Sequence, residues 1–339
     1  LTENAAIVNL LLMQVNNSKK TQTQDSPDTK SSTRSRVLEI LRSEQTAVSG
    51  ETIAEALGLS RVAVWKAVKS LNEAGYRVSS GPDGYALASD RLDSLQPWEF
   101  GKHESLVKHY DEIGSTMDKA RDEALAGCED GLVVLAERQS AGRGTGGKTW
   151  VSPAGGLFFT MVLRPHLGSA WCNRLVLSAQ LAMVDAIRSV SGLEAFPGWP
   201  NDILLPEGKA GGILAETLSS GNRLEFLNLG IGINTNASAA PGSASIPAGR
   251  KELLDAFLSA FRAAEREFDP FAGDDSLLRA WNARCPVAGK TVGFLAGGNA
   301  ESGLFWGIDA AGWAIVERND KTIHCPPGSI TLRNKGTLP

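Results

Sequence analysis

The chain has 339 residues, with 38 acidic and 34 basic side chains and a formal charge of −4. Hydrophobic residues make up 42% and charged residues 21%, which excludes a disordered chain and a globally polybasic nucleic-acid binder. Any contact with nucleic acid must be local. Neither a triplet nor a longer period appears, so collagen, coiled coil and solenoid are also excluded.

Four cysteines, Cys128, Cys172, Cys285 and Cys325, lie too far apart in sequence for a metal knuckle and are too few for a disulfide scaffold. The apolar run Ala5 to Met13 is broken by Asn9 and is too short to cross a bilayer. No basic stretch precedes it, as a signal peptide requires. These features read as a cytoplasmic protein with no membrane contact.

Residues 14 to 33 are polar and unable to bury a core, and residues 1–33 are expected to form a disordered tail. Val37, Leu38, Ile40 and Leu41 then fall at helical spacing. A second helix is expected over Gly50 to Leu57 with Ser49 as N-cap, and a third over Arg61 to Asn72 with Ser60 as N-cap. Two short strands follow around the turn Pro82-Asp83-Gly84. Helix, helix, turn, helix and hairpin make a winged helix-turn-helix over residues 34–90. The third helix carries Arg61, Lys66 and Lys69 and no acid. That asymmetry suits a recognition helix in a major groove, with Ser60, Arg61, Lys66 and Lys69 as the contacts. The alternative is a solvated basic face on an ordinary three-helix unit.

After a polar connector, Asp90 to Phe100, a mixed α/β domain is expected over residues 100–284. Its elements are a helix near Met117 to Ala126, strands at Leu132 to Ala136 and Gly156 to Leu163, and a long helix from Ala170 to Val190. Further strands are expected at Ile203 to Leu205, Lys209 to Thr217 and Phe226 to Ile233, then a helix from Lys251 to Phe268. Residues 285–334 carry short strands between glycines and fit a small closed β-barrel. Such a piece is too small for a core of its own and should rest against the larger domain.

Gly142-Arg143-Gly144-Thr145-Gly146-Gly147 follows a strand directly. Its glycines admit close backbone approach, and Arg143 can clamp a phosphate or carboxylate. It lacks the Lys-Ser/Thr ending of a P-loop and the helix of a dinucleotide fingerprint. The segment reads as an anion-binding loop or as a plain surface loop. In Trp199-Pro200-Asn201-Asp202, Asp202 is a candidate Mg²⁺ ligand near a nucleotide phosphate, or the acceptor of an Asx-turn. Lys209, ahead of Gly211 and Gly212, reads as a site lysine or a solvated strand end. Asn234 closes a strand beside Gly230-Ile231-Gly232-Ile233.

The order and spacing of Gly-Ser-Thr, Gln-Ser-Ala-Gly-Arg-Gly, Trp-Pro-Asn-Asp, Lys-Ala-Gly-Gly-Ile-Leu-Ala-Glu and Gly-Ile-Gly-Ile-Asn resemble the bacterial bifunctional biotin protein ligases. These proteins also repress biotin synthesis genes. The resemblance spans roughly residues 35 to 333. It implies a winged helix, a central mixed-sheet biotin/lipoate-ligase-like catalytic domain and a C-terminal SH3-like β-barrel.

It also implies a two-step reaction. Biotin and MgATP form biotinoyl-5′-AMP, and a lysine on a carboxylase biotin carrier domain then takes the biotin. By position, Ser115, Thr116 and Gln139 resemble contacts to the biotin ring, and Gly142, Arg143 and Gly144 belong to the closing loop. Trp150 resembles the aromatic beside adenine, and Lys209 the lysine at the reacting carboxylate. Asn201, Asp202 and Asn234 lie on the nucleotide side, with Gly212 among the cofactor-binding positions and Asp202 at the metal. Operator DNA and a homodimer are implied partners. Three positions depart from the family pattern: Met117 stands for asparagine, Thr145 for a second loop cation, and Gly198 for a lysine. They keep two alternatives open, a biotin-sensing regulator with a weakened site and, less well supported, activation of another small carboxylic acid such as a lipoyl group.

Overall fold

The computed structural model describes residues 31–44, 46–88, 92–165, 168, 172–221, 223–236, 242–267 and 275–333. The expected tail therefore lies outside the described residues up to residue 30. Its last residues belong to the first helix, α1 (Thr33–Ser43), because the Ser32 hydroxyl caps the amide of Ser35 at 3.2 Å. Helix α2 (Gly50–Leu57) is capped by Ser49 and stopped by Gly58 at φ 63°, a left-handed position suited to glycine. Helix α3 (Arg61–Glu73) is capped by Ser60, whose Oγ accepts from the Ala63 amide at 3.2 Å. It runs one residue past the expected end, so Glu73 joins it and lies 3.8 Å from Lys69.

Strands β1 (Val78–Gly81) and β2 (Gly84–Leu87) pair antiparallel as the wing. The helices and wing close on Val37, Leu38, Ile53, Val64, Leu71 and Tyr76. The segment expected as a polar connector is tied down at both sides. Leu95 enters the central core, and Trp98, in a 3₁₀ segment from Pro97 to Leu106, enters the helix-turn-helix core. Trp98 donates to Tyr76 Oη at 3.0 Å, and the Arg34 guanidinium lies 4.2 Å from its ring. Glu99 accepts from Arg42 at 2.7 Å and also from Tyr76.

The central sheet has seven strands. They are β3 (Val107–Ile113), β4 (Val133–Gln139), β5 (Leu157–Leu163), β6 (Phe196–Gly198), β7 (Asp202–Leu205), β8 (Gly208–Ser220) and β9 (Arg223–Ile233). Their spatial order is β3-β4-β5-β9-β8-β7-β6. Only β3 and β4 run parallel, joined by helix α4 (Thr116–Leu125) in a βαβ crossover; the other neighbours are antiparallel.

Alternation along β9 separates the two faces. Leu227, Leu229, Ile231 and Ile233 face the main core, which is closed by α5 (Cys172–Ser191) and α6 (Arg250–Glu267). Through its centre Phe159 meets Phe257 edge to face, and Phe257 stacks on Phe261. The opposite face carries α4 over Val134, Val162 and Phe226. Further along that face Gly230 and Gly232 remove the side chains, opposite Leu214 and Gly212 of β8. A hollow results beside the N-terminus of α4.

Helix α7 (Ser276–Arg284) leads to a five-stranded antiparallel sheet. It comprises β10 (Lys290–Ala296), β11 (Asn299–Ile308), β12 (Ala314–Arg318), β13 (Lys321–Cys325) and β14 (Ile330–Arg333), in the order β13-β12-β11-β10-β14. The expected closure into a barrel is not made by hydrogen bonds: among the described residues no ladder joins β13 to β14. Their four-residue link contains Pro326 and Pro327, which bring no amide donors. As expected, this sheet shares its core with the larger domain, through Leu177 and Trp199. The four cysteines are free thiols.

Candidate active site

The glycine-rich segment is a small hairpin. Gln139 N donates to Ser152 O at 3.1 Å, Trp150 N to Gly142 O at 2.9 Å and Gly144 N to Lys148 O at 2.7 Å. A 3₁₀ turn, Thr145–Gly147, makes the tip, with Gly146 and Gly147 at positive φ. A Cβ on Gly142 would sit 2.4 Å from Trp150 O, so this glycine lets the two arms meet.

Between the hairpin, the start of α4 and the glycine floor lies a cavity of about 230 Å³. Of the residues expected at a site, Ser115, Thr116, Gln139, Arg143, Gly144, Trp150, Asn201, Lys209 and Gly212 line it. Gly142, Asp202 and Asn234 do not. Gly142 shapes the hairpin. Asp202 pairs with Lys209, whose Nζ is 2.6 Å from its Oδ1. Asn234 is buried and donates to Ala244 O at 3.1 Å, while its amide donates to Ala210 O. It ties the strand ends that carry Lys209.

A chain of hydrogen bonds holds the polar end. Thr160 Oγ1 donates to Thr116 Oγ1 at 2.9 Å, and Thr116 donates from both N (2.8 Å) and Oγ1 (3.1 Å) to Gln139 Oε1. Gln139 Nε2 donates to Ser152 Oγ at 2.9 Å, which donates to Trp150 O at 3.1 Å. Helix start, strand and hairpin thus share one network. Ser115 caps α4 and is buried. Met117, also buried, packs its sulfur over Gly230 in the cavity floor.

The other end is charged. Arg143 pairs with Glu216 and lies 3.4 Å from Asp118, while Arg121 reaches Glu216 from α4. Burial pushes the Glu216 carboxyl up, but hydrogen bonds and charge from Arg121 and Arg143 outweigh it and hold it below its ordinary value of 4.5. Lys209 Nζ is 5.3 Å from the centre of the Trp150 ring, which lies across Gly212 and Gly232. Arg143 Nε and Trp150 Nε1 are buried and have no hydrogen-bond partner, so two donors in the cavity wall remain uncommitted. Among the described residues no group of three His, Cys, Asp or Glu could hold a metal ion. Asp202 is a single carboxylate, so Mg²⁺ here needs further oxygens from a nucleotide.

Sequence reasoning missed Glu216 and Gln180. Glu216 lies on the same β8 face as Gly212 and Leu214. Gln180 is fully buried in α5, donates to Gly198 O (2.8 Å) and Asp202 O (3.0 Å), and accepts from Trp281 Nε1 (3.0 Å). It positions the turn carrying Asn201 and Asp202. The available signal was a lone amide within the apolar stripe Leu177, Leu181, Val184.

The chain thus joins a winged helix-turn-helix to a mixed sheet that carries a small cavity lined by polar and cationic side chains. Residues 111–234 match the biotin/lipoate A/B protein ligase family profile, and residues 33–86 match a helix-turn-helix domain profile. The biotin--[acetyl-CoA-carboxylase] ligase of Paracoccus denitrificans is 35% identical over 221 residues, covering 59% of this chain and 90% of the relative. The bifunctional ligase/repressor BirA of Bacillus subtilis is 35% identical over 199 residues, covering 56% of this chain and 60% of the relative. The match thus spans three fifths of the Bacillus protein. The biotin protein ligase of Aquifex aeolicus, solved with biotin and ATP, shares the fold with a TM-score of 0.57 at 24% identity, over 68% of this chain and 99% of that one. The chain belongs to the biotin protein ligase family.

Proposed function

We propose that the protein is an ATP-dependent biotin protein ligase that also represses transcription through its winged helix. In the first step a biotin carboxylate oxygen bonds to the α-phosphorus of ATP, the bond to pyrophosphate breaks, and biotinoyl-5′-AMP forms. In the second, the neutral ε-amine of a lysine on a biotin carboxyl carrier domain attacks the acyl carbon, AMP leaves and the amine loses a proton.

One observation carries this reading: three cations, Arg143, Lys148 and Lys209, line one small cavity together with a fixed polar edge of Ser115, Thr116 and Gln139. A carboxylate attacking a phosphate meets like-charge repulsion, and the cations offset it. Ser115, Thr116 and Gln139 suit the ureido ring. The hairpin with Gly142, Arg143 and Gly144 closes over the adenylate and excludes water. Trp150, Gly212, Asn201 and Asn234 belong to the nucleotide side. Asp202, beside Lys209 at 2.6 Å, would be the carboxylate that holds Mg²⁺, which would neutralise phosphate charge; Lys209 is the cation for the acyl phosphate.

Residues 34–90 are taken as the DNA-binding domain, with Ser60, Arg61, Lys66 and Lys69 toward the operator. Residues 100–284 are taken as the catalytic domain, and residues 285–334 as an SH3-like unit whose barrel is open along one seam. The repressing form is a homodimer, as a two-fold operator requires. No helix among the described residues is long and apolar enough to cross a membrane; the cytoplasmic site of action belongs to the proposed reading.

The test mixes protein, biotin, MgATP and a biotin carrier domain, and follows the mass of the carrier and release of free adenylate. Biotin on the carrier lysine is expected. Met117, Thr145 and Gly198 favour a second reading, a biotin-sensing regulator with a weakened site. Biotin binding with no carrier modification at high protein concentration would establish that reading and end the first.

A further inference from the structure

Val62 and Trp65 stand on α3 with 61% and 52% of their surfaces exposed. They lie on the solvent side, opposite Val64, Ala67, Val68 and Leu71, which already fill the core beneath the helix. Arg61, Lys66 and Lys69 share the exposed stripe. Trp65 lines two grooves against the wing, one with Arg61, Val62 and Pro82, the other with Lys69 and Ser80. One acid lines each groove, Glu51 the first and Glu73, 3.8 Å from Lys69, the second, against the three cations of α3. Cations placed so hold the phosphates of any duplex. An apolar side chain gains nothing from a phosphate. What it matches in a major groove is the C5 methyl of thymine.

We propose that Val62 and Trp65 read thymine methyl groups and so set the sequence preference of the winged helix. The two residues are three apart, about 4.5 Å along the helix axis, against about 3.4 Å per step along one DNA strand. Their thymines therefore fall within about two base pairs of each other. The inference rests on the reading of this unit as a DNA-binding domain.

The experiment uses the full chain with biotin and MgATP to select duplexes from a random pool. Selected duplexes are remade with dU for dT at single positions, and binding is followed by anisotropy at a fixed, stated salt concentration. The selected sites should share two close thymines, and each methyl removed should weaken wild-type binding about four-fold, as for one buried CH₂. Val62→Ser and Trp65→Gln should each abolish the difference between dT and dU at one position. Wild-type protein that binds dT and dU duplexes equally would overturn the thymine reading while leaving DNA binding intact. A pool from which nothing is retained would overturn both. The wild-type comparison needs no substitution, so a variant that misfolds does not blunt it.

Discussion

Lys209 holds its ammonium 2.6 Å from the Asp202 carboxylate and 5.3 Å from the Trp150 ring centre. The contacts join the charged end of the cavity to its aromatic wall. The Asp202 pair is half open to solvent, with side chains 41% and 31% exposed, so it adds little stability. Lys209→Ala should therefore leave the melting temperature nearly unchanged. It should slow biotin-dependent exchange of labelled pyrophosphate into ATP by about 10²–10³, as for loss of a transition-state donor. Wild-type exchange would remove Lys209 from the reaction.

Gly232 lies flat under the Trp150 ring, where a Cβ would come within 2.4 Å of Nε1. Gly232→Ala forces the ring outward, and overpacking of this kind costs about 1–3 kcal/mol. ATP affinity measured by calorimetry should fall by one to two orders of magnitude on that scale. Unaltered affinity would show that the ring does not border the nucleotide.

Gln180 satisfies three buried groups on three segments: Gly198 O, Asp202 O and Trp281 Nε1. Gln180→Leu keeps the volume and strands all of them. A loss of about 3 kcal/mol or more is expected from denaturant unfolding. At temperatures where the variant is folded, KM for ATP should rise, because the Asn201–Asp202 turn loses its support. Full stability would mean these groups find other partners.

The Glu216 carboxyl lies below its ordinary 4.5 because Arg121 and Arg143 outweigh its burial. A carboxyl with a lower pKa in the folded state than in the unfolded state stabilises the fold above the unfolded value. That contribution is lost as pH falls through the folded value. In Glu216→Gln the acid side of a plot of Tm against pH, from about pH 5 downward, should be shallower than in wild type. Parallel curves would show that Glu216 is not linked to folding.

Helices α2 and α3 and strand β2 were readable almost to the residue, because Ser49, Ser60 and Gly58 are local signals that act within one turn of chain; β1 lies at Val78–Gly81, beyond the Tyr76-Arg77-Val78 strand expected there. Most strands of the central sheet were equally plain from their apolar runs. β3 and β6 were not: β3 mixes His109, Asp111 and Glu112 at a sheet edge, and β6 is three residues including Pro197. Helix α7 was missed too. The glycine segment read as a loop because its hairpin is held by main-chain bonds and by Ser152, thirteen residues from Gln139. Nine of the expected site residues do meet in one cavity. What sequence spacing could not reveal was partnership across the fold, such as Glu216 with Arg143 or Gln180 with Trp281.

Trp199 turns away from the cavity. Its indole donates to Gly312 O at 3.0 Å, and its ring lies in one apolar cluster with Trp281, Phe294 and Phe305. The turn bearing Asn201 and Asp202 therefore leans on the C-terminal sheet, although that sheet contributes no lining to the cavity. Cutting the chain after residue 284 would keep every residue that lines the cavity, yet bare this indole to water and unseat the turn that carries Asn201. The two ends of that contact, the indole at 199 and the carbonyl at 312, thus work as a single part of the fold although they adjoin different sheets.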